Sequence, residues 1–251
     1  MYEKAANSFK IAKKWDEAGD AFCKAAKLCI DNKTNHEAAA HYSKAATAYK
    51  KSSPEKAIKV LKDAIEIYTE MGRFSIAAKQ HMSIAEIYEQ DLYDIEQSIK
   101  HYELASEYYK GEDSNSSAMK CQLKVAHFSA TLGQYDKAAV LFEEAGKASS
   151  ENKLLRYGAK EHFFKAVICQ FCIDLINGQK ALKIYEENYQ MFADSRECTL
   201  LKKISEALEN ENIEAFTTAL TEYDTLTRLE PWTTSLFLKI KRTISGDEDL
   251  T

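Results

Sequence analysis

The sequence predicts an all-α protein: a right-handed superhelical stack of tetratricopeptide-like helix hairpins, closed by a C-terminal helical bundle. Three observations carry that prediction. Only 2 prolines and 8 glycines occur in 251 residues, and these are the residues that helix interiors tolerate worst. Alanines recur about forty residues apart in matching contexts: HYSKAATAY at Ala46, MSIAEIY at Ala85, QLKVAHF at Ala126, FFKAVIC at Ala166 and ISEALEN at Ala207. That spacing falls among helical-repeat periods. A second series, offset from the first, opens the partner helices: WDEAGDAF at Trp15, SPEKAIKV at Ser53, DIEQSIKH at Asp94, YDKAAVLF at Tyr135 and NGQKALKI at Asn177.

Each element follows from local chemistry. Small residues at the crossing points let two helices approach, and aromatics fill the gaps beside them. Ser53-Pro54-Glu55 puts serine at an N-cap and proline at the first helical position. Asp113 to Ser117 is a polar break rich in capping residues, and Leu132-Gly133-Gln134 reads as a further turn. The unit exceeds the roughly 34 residues of ordinary tetratricopeptide repeats, so longer helices are expected. From Arg196 the pattern loosens, and Trp232 to Ile244 reads as a closing helix that Gly246 ends. The division expected is a hairpin solenoid over 1–195 and a C-terminal bundle with an acidic tail over 196–251.

Composition excludes several classes. No run of about 18 apolar residues exists to span a bilayer, and the start shows no secretory signal. The 6 cysteines are scattered and read as reduced thiols of a cytosolic protein. Cys169 and Cys172 form a lone CxxC inside an apolar helical pattern, which suits packing better than zinc. The 6 histidines form no HExxH pair, and neither a GxSxG turn nor a phosphate-binding glycine loop is present. No enzyme, metal site or cofactor is expected.

Basic residues are the exception to a bland surface. Lys79, Lys120 and Lys160 each lie six residues before their repeat alanine, in a chain of 34 Lys+Arg against 39 Asp+Glu. Equivalent positions of stacked units form a row, so the three predict a binding strip, which Arg73 and Lys124 extend. A row of this kind suits an extended acidic partner. Nucleic acid fits less well, because the net charge is −5 and no aromatics interleave with the lysines. A co-chaperone clamp for a partner's C-terminal peptide is the alternative, but it needs Lys, Arg and Asn converging in one pocket. The end, Asp247-Glu248-Asp249-Leu250, is either a solubilising terminus or a peptide-like hook.

Long stretches of the chain resemble the soluble NSF attachment proteins of the alpha/beta type. They are residues 9–26 (FKIAKKWDEAGDAFCKAA), 64–89 (AIEIYTEMGRFSIAAKQHMSIAEIYE), 101–126 (HYELASEYYKGEDSNSSAMKCQLKVA), 194–216 (DSRECTLLKKISEALENENIEAF) and 240–251 (IKRTISGDEDLT). The resemblance implies a non-enzymatic adaptor in vesicle trafficking, cytoplasmic and reaching membranes through its partners. Several copies would bind an assembled SNARE four-helix bundle of syntaxin, synaptobrevin and SNAP-25-type SNAREs, and would recruit and stimulate the hexameric ATPase NSF. By resemblance the bundle would meet Lys79 and Lys120, with Arg73, Lys124, Lys50 and Lys13 contributing, whereas Lys160 comes from the repeat alignment alone. The ATPase would meet Glu206, Glu209, Asp247, Glu248, Asp249 and the penultimate Leu250. Asn210 stands where the family commonly has an acid, and the acidic tail is one residue shorter, so a weakened contact is expected. The sequence starts inside what should be the second helix of the family's first unit, without the exposed apolar loop found there, so direct membrane contact is in doubt.

Overall fold

The computed structural model describes residues 1–245, and among them helices and turns account for the chain without a strand. Two compact units are present, Met1–Val125 and a second beginning at Ala126. In the first, α1 (Tyr2–Ile11), α2 (Trp15–Asp31), α3 (Asn35–Tyr49), α4 (Pro54–Glu70) and α5 (Phe74–Ile87) follow one another, each packed on the next. A π-helical turn over Tyr88–Leu92 then leads into α6 (Ile95–Gly111), which packs back on α5, and α7 (Asn115–Thr131) begins. The second unit holds the end of α7, then α8 (Tyr135–Glu151), α9 (Ala159–Ile173) and α10 (Leu175–Asn188). Short α11 (Gln190–Ala193) precedes α12 (Arg196–Glu209), α13 (Ile213–Leu226) and α14 (Pro231–Ser245).

All five repeat alanines are buried, with Ala85, Ala126 and Ala166 fully so. They are small because the helices pass close together. Gly19 of α2 lies under the ring of Tyr49 on α3, where an added Cβ would come within 2.5 Å of the ring. Phe171 of α9 sits closer still over Gly178 of α10, at 2.1 Å from such a Cβ. Aromatics such as Phe22, Tyr42, Tyr68 and Tyr102 fill the remaining space in the first unit.

The turns share a grammar that the sequence hides. Lys13, Lys33, Gly72, Asp113, Gly133 and Glu211 all have positive φ. At each, the N–H donates to the carbonyl three residues back, and the next N–H reaches the carbonyl five residues back, as in Lys13→Lys10 and Lys14→Phe9. This is the Schellman arrangement, which satisfies the last carbonyls of one helix. The residue after it is already the N-cap of the following helix at Lys14, Thr34, Arg73, Gln134 and Asn212. Four of the six positions carry a residue other than glycine, which is why composition did not reveal them.

Several local expectations are revised. Ser53 is the N-cap of α4, but its hydroxyl donates to Asp16 Oδ1 at 2.9 Å instead of capping. Side-chain caps are instead made by Asp94, Asp174, Ser195 and Asn212. The helix expected near Asn177 begins at Leu175, because Asp174 caps it. Beyond Arg196 the hairpin grammar continues, since α12 and α13 are joined by the same turn at Glu211. The closing helix α14 runs from Pro231 to Ser245. Cys169 is buried and Cys172 half-buried, and burial pushes both thiols up, Cys172 to about 12, so neither is a reactive thiolate.

Candidate partner-binding surfaces

Lys79 is the sixth residue of α5 and Lys120 the sixth of α7, both exposed. The equality has a cause. Each helix is launched by the same turn and holds its alanine, Ala85 or Ala126, in the core, so rotation about the axis is fixed and the lysine emerges at one angle. Arg73 is exposed at the N-cap of α5. Lys13 is exposed in the α1–α2 turn with φ 57°. Among the described residues these four cations carry no ion pair.

The other lysines of the expected strip are engaged. Lys124 donates to Glu89 Oε1 at 2.8 Å, and the Glu89 side chain is only 19% exposed. Glu89 stands there because the π turn after α5 rotates it toward α6, where Tyr102 Oη also donates to it at 2.9 Å. Lys50, at the C-cap of α3, approaches Glu86 at 3.9 Å. In the second unit, Lys160 is held by Glu197 of α12 at 3.0 Å, and that carboxylate is 13% exposed. Lys160 keeps its register to buried Ala166 but not to its helix. It is the second residue of α9, since the chain takes a long turn over 152–158 first. The sequence did not mark Glu86, Glu89 or Glu197, because each pairs with a lysine on another helix and no spacing within one helix betrays that.

Glu206 and Glu209 are both exposed on the last turns of α12. Glu206 borders a groove of about 480 Å³ between α12 and α13, whose other charged walls are Lys203, Glu214 and Glu222. Lys203 is tied to Glu222 at 2.7 Å, so the groove's remaining charge is acidic. Asn210 closes α12 by donating from Nδ2 to the Glu206 carbonyl at 2.9 Å, a bond that a carboxylate in its place could not make. Asp247, Glu248, Asp249 and Leu250 lie outside the described residues.

These residues offer exposed charged surfaces. The described residues hold no group of His, Cys, Asp or Glu able to ligate a metal ion, and no helix there is long and apolar enough to cross a membrane. Matching against family models aligns residues 1–245 with the family described as soluble NSF attachment protein, SNAP. The chain belongs to that family. It is 52% identical to the alpha-soluble NSF attachment protein of Mus musculus over 99% of its own length and 84% of the relative's. To the beta-soluble NSF attachment protein of Bos taurus it is 53% identical, covering 98% of this chain and 83% of the relative. The grapevine alpha protein (Vitis vinifera) is 40% identical over 99% of this chain and 86% of the relative. Among solved structures, the crystal structure of the apo form of RapI is similar with a TM-score of 0.50 at 15% identity. It covers 98% of this chain and 64% of that chain, a likeness of fold alone. The helical-hairpin architecture and the family expected from the sequence are thus both established.

Proposed function

We propose that this family member is an adaptor that binds assembled SNARE bundles and recruits and stimulates the NSF ATPase for their disassembly. Lys79 and Lys120 would be the main bundle contacts. The single observation carrying this is that both occupy one helical position, exposed and without an internal ion pair. An unengaged ammonium can meet a carboxylate of the partner without giving up a bond. Arg73 and Lys13 share that property. Lys124, Lys160 and Lys50 must exchange Glu89, Glu197 and Glu86 for the partner, so they contribute less.

Each exposed charge pair is worth only about 0.2–1 kcal/mol, so affinity rests on several contacts and several adaptor copies per bundle. Residues 1–195 would carry the bundle-binding surface. Residues 196–251 would face the ATPase through Glu206, Glu209, Asp247, Glu248, Asp249 and Leu250. Syntaxin, synaptobrevin and SNAP-25-type SNAREs are the bundles proposed, and membrane association would come through them. The test is a pull-down of a purified SNARE bundle with the Lys79→Glu/Lys120→Glu variant. Binding is expected to fall at least tenfold at low salt while the thermal melt is unchanged, and undiminished binding overturns the assignment. Leu250→Ala should keep bundle binding and lose ATPase stimulation.

A further inference from the structure

Ser53-Pro54-Glu55-Lys56 carries chemistry that adaptor binding leaves unused. The chain has 2 prolines, Pro54 and Pro231, and only Pro54 follows a hydroxyl side chain. A serine followed by proline, with a lysine third after the serine, is the substrate pattern of the cyclin-dependent protein kinases. Their cleft offers no acceptor for an N–H just after the serine, so proline, which has none, is favoured there. The segment is also presented to solvent. Residues 50–53 lie between α3 and α4, and Lys51, Ser52, Glu55 and Lys56 are exposed, with Ser53 half-buried. The N–H ladder of α4 begins at Ala57, which donates to the Ser53 carbonyl at 3.1 Å, so extending the residues ahead of it into a kinase cleft breaks few bonds.

The Ser53 hydroxyl is committed to a contact that a phosphate would reverse. It donates to Asp16 Oδ1 of α2 at 2.9 Å, and Lys56 Nζ meets the same oxygen at 3.3 Å. These donors, Ser53 foremost, hold the Asp16 carboxyl below its ordinary range. We propose that Ser53 is a phosphorylation site for a proline-directed kinase of the cyclin-dependent class, and that its phosphate undoes the tie between α2 and the α3–α4 turn. In the transfer, the Ser53 oxygen bonds to the γ-phosphorus of ATP and the bond from that phosphorus to the β–γ bridging oxygen breaks. ADP leaves, and the hydroxyl proton passes to the kinase's catalytic aspartate. The esterified oxygen has no proton left to donate, and the new group sets about −1.5 to −2 charges against the Asp16 carboxylate. It turns instead to the first N–H groups of α4, which the Ser53 side chain leaves uncapped, and draws Lys56 with it.

The folded full chain is incubated with a purified cyclin-dependent kinase, ATP and Mg²⁺, beside Ser53→Ala and Pro54→Ala, and the phosphate is mapped by mass spectrometry. The parent should take up one phosphate, on Ser53. Ser53→Ala should take up none, and Pro54→Ala should react about tenfold more slowly or worse. Urea unfolding then compares Asp16→Asn with the parent before and after phosphorylation, followed by the emission of the adjacent Trp15 with Trp232→Phe in every chain. Before phosphorylation Asp16→Asn should lower the midpoint, because its charge toward Ser53 and Lys56 is gone. Afterwards that loss should vanish or reverse, since an amide can donate to the phosphate that a carboxylate repels. No uptake on Ser53 by the parent, or undiminished uptake by Ser53→Ala or Pro54→Ala, overturns the site. An equal loss from Asp16→Asn in both states overturns the proposed release of α2.

Discussion

Acidification should destabilise the first unit through one buried pair. His81 of α5 and His101 of α6 face each other Nδ1 to Nδ1 at 3.0 Å, both 8% exposed. Tyr108 stacks on His81 and Tyr88 on His101. One ring must donate and the other accept, so the two cannot both be protonated while the bond is kept. Burial, joined by the charge of Lys62 and, for His101, by its partner ring, lowers each to about 4 from the ordinary 6.5. Because the folded values lie below the unfolded ones, the unfolded chain takes up protons between pH 6.5 and 4 that the native unit refuses. Stability is therefore complete above that window and falls as pH drops through it. Between pH 7 and 5 the loss works out at about 2 kcal/mol per ring, about 4 for the pair, a large share of a stability of about 5–15 kcal/mol. The assay is urea unfolding at the two pH values, followed by Trp15 emission in a Trp232→Phe background, because Trp15 lies in the first unit and Trp232 in the second. In His81→Gln/His101→Gln, two neutral amides can share the hydrogen bond, and most of the pH dependence should vanish. Equal pH dependence in parent and variant would refute the reasoning.

The other predictions concern turns, packing and charge. Asp113→Gly and Glu211→Gly, at φ 53° and 50°, should each stabilise the chain by about 0.5–1 kcal/mol in thermal or urea melts, since glycine occupies that region without strain. Gly178→Ala drives a methyl group into the Phe171 ring and should cost about 1–3 kcal/mol, read in the same melts. Lys79→Ala should weaken SNARE-bundle binding more than Lys160→Ala does. Lys160→Ala should in addition lower the melting temperature, because it strands the 13%-exposed Glu197 carboxylate.

Residues 64–89 and 101–126 show how far the sequence reaches. Their recurring alanines at 85 and 126 announce a core position that only a small residue can fill, and the lysines six residues earlier inherit a fixed angle from it. Fold class, hairpin period and the exposure of Lys79 and Lys120 are thus local consequences of helical geometry. The second unit breaks this inheritance at one point: Lys160 has the same alanine spacing, yet the long turn before α9 changes its place in the helix.

By itself, then, the sequence determined the helices, their pairing period, the family and the register of the lysines, because each is written in spacings within one helix or between equivalent ones. Only the tertiary structure decided which of those lysines are unengaged, because Glu89, Glu86 and Glu197 reach them from other helices. It also decided that Glu89 arrives by a π turn, and that Lys13, Lys33, Asp113 and Glu211 adopt a conformation usually left to glycine. Contacts between distant residues leave no periodic trace along the chain, and a backbone angle is set by the two helices that the turn must join.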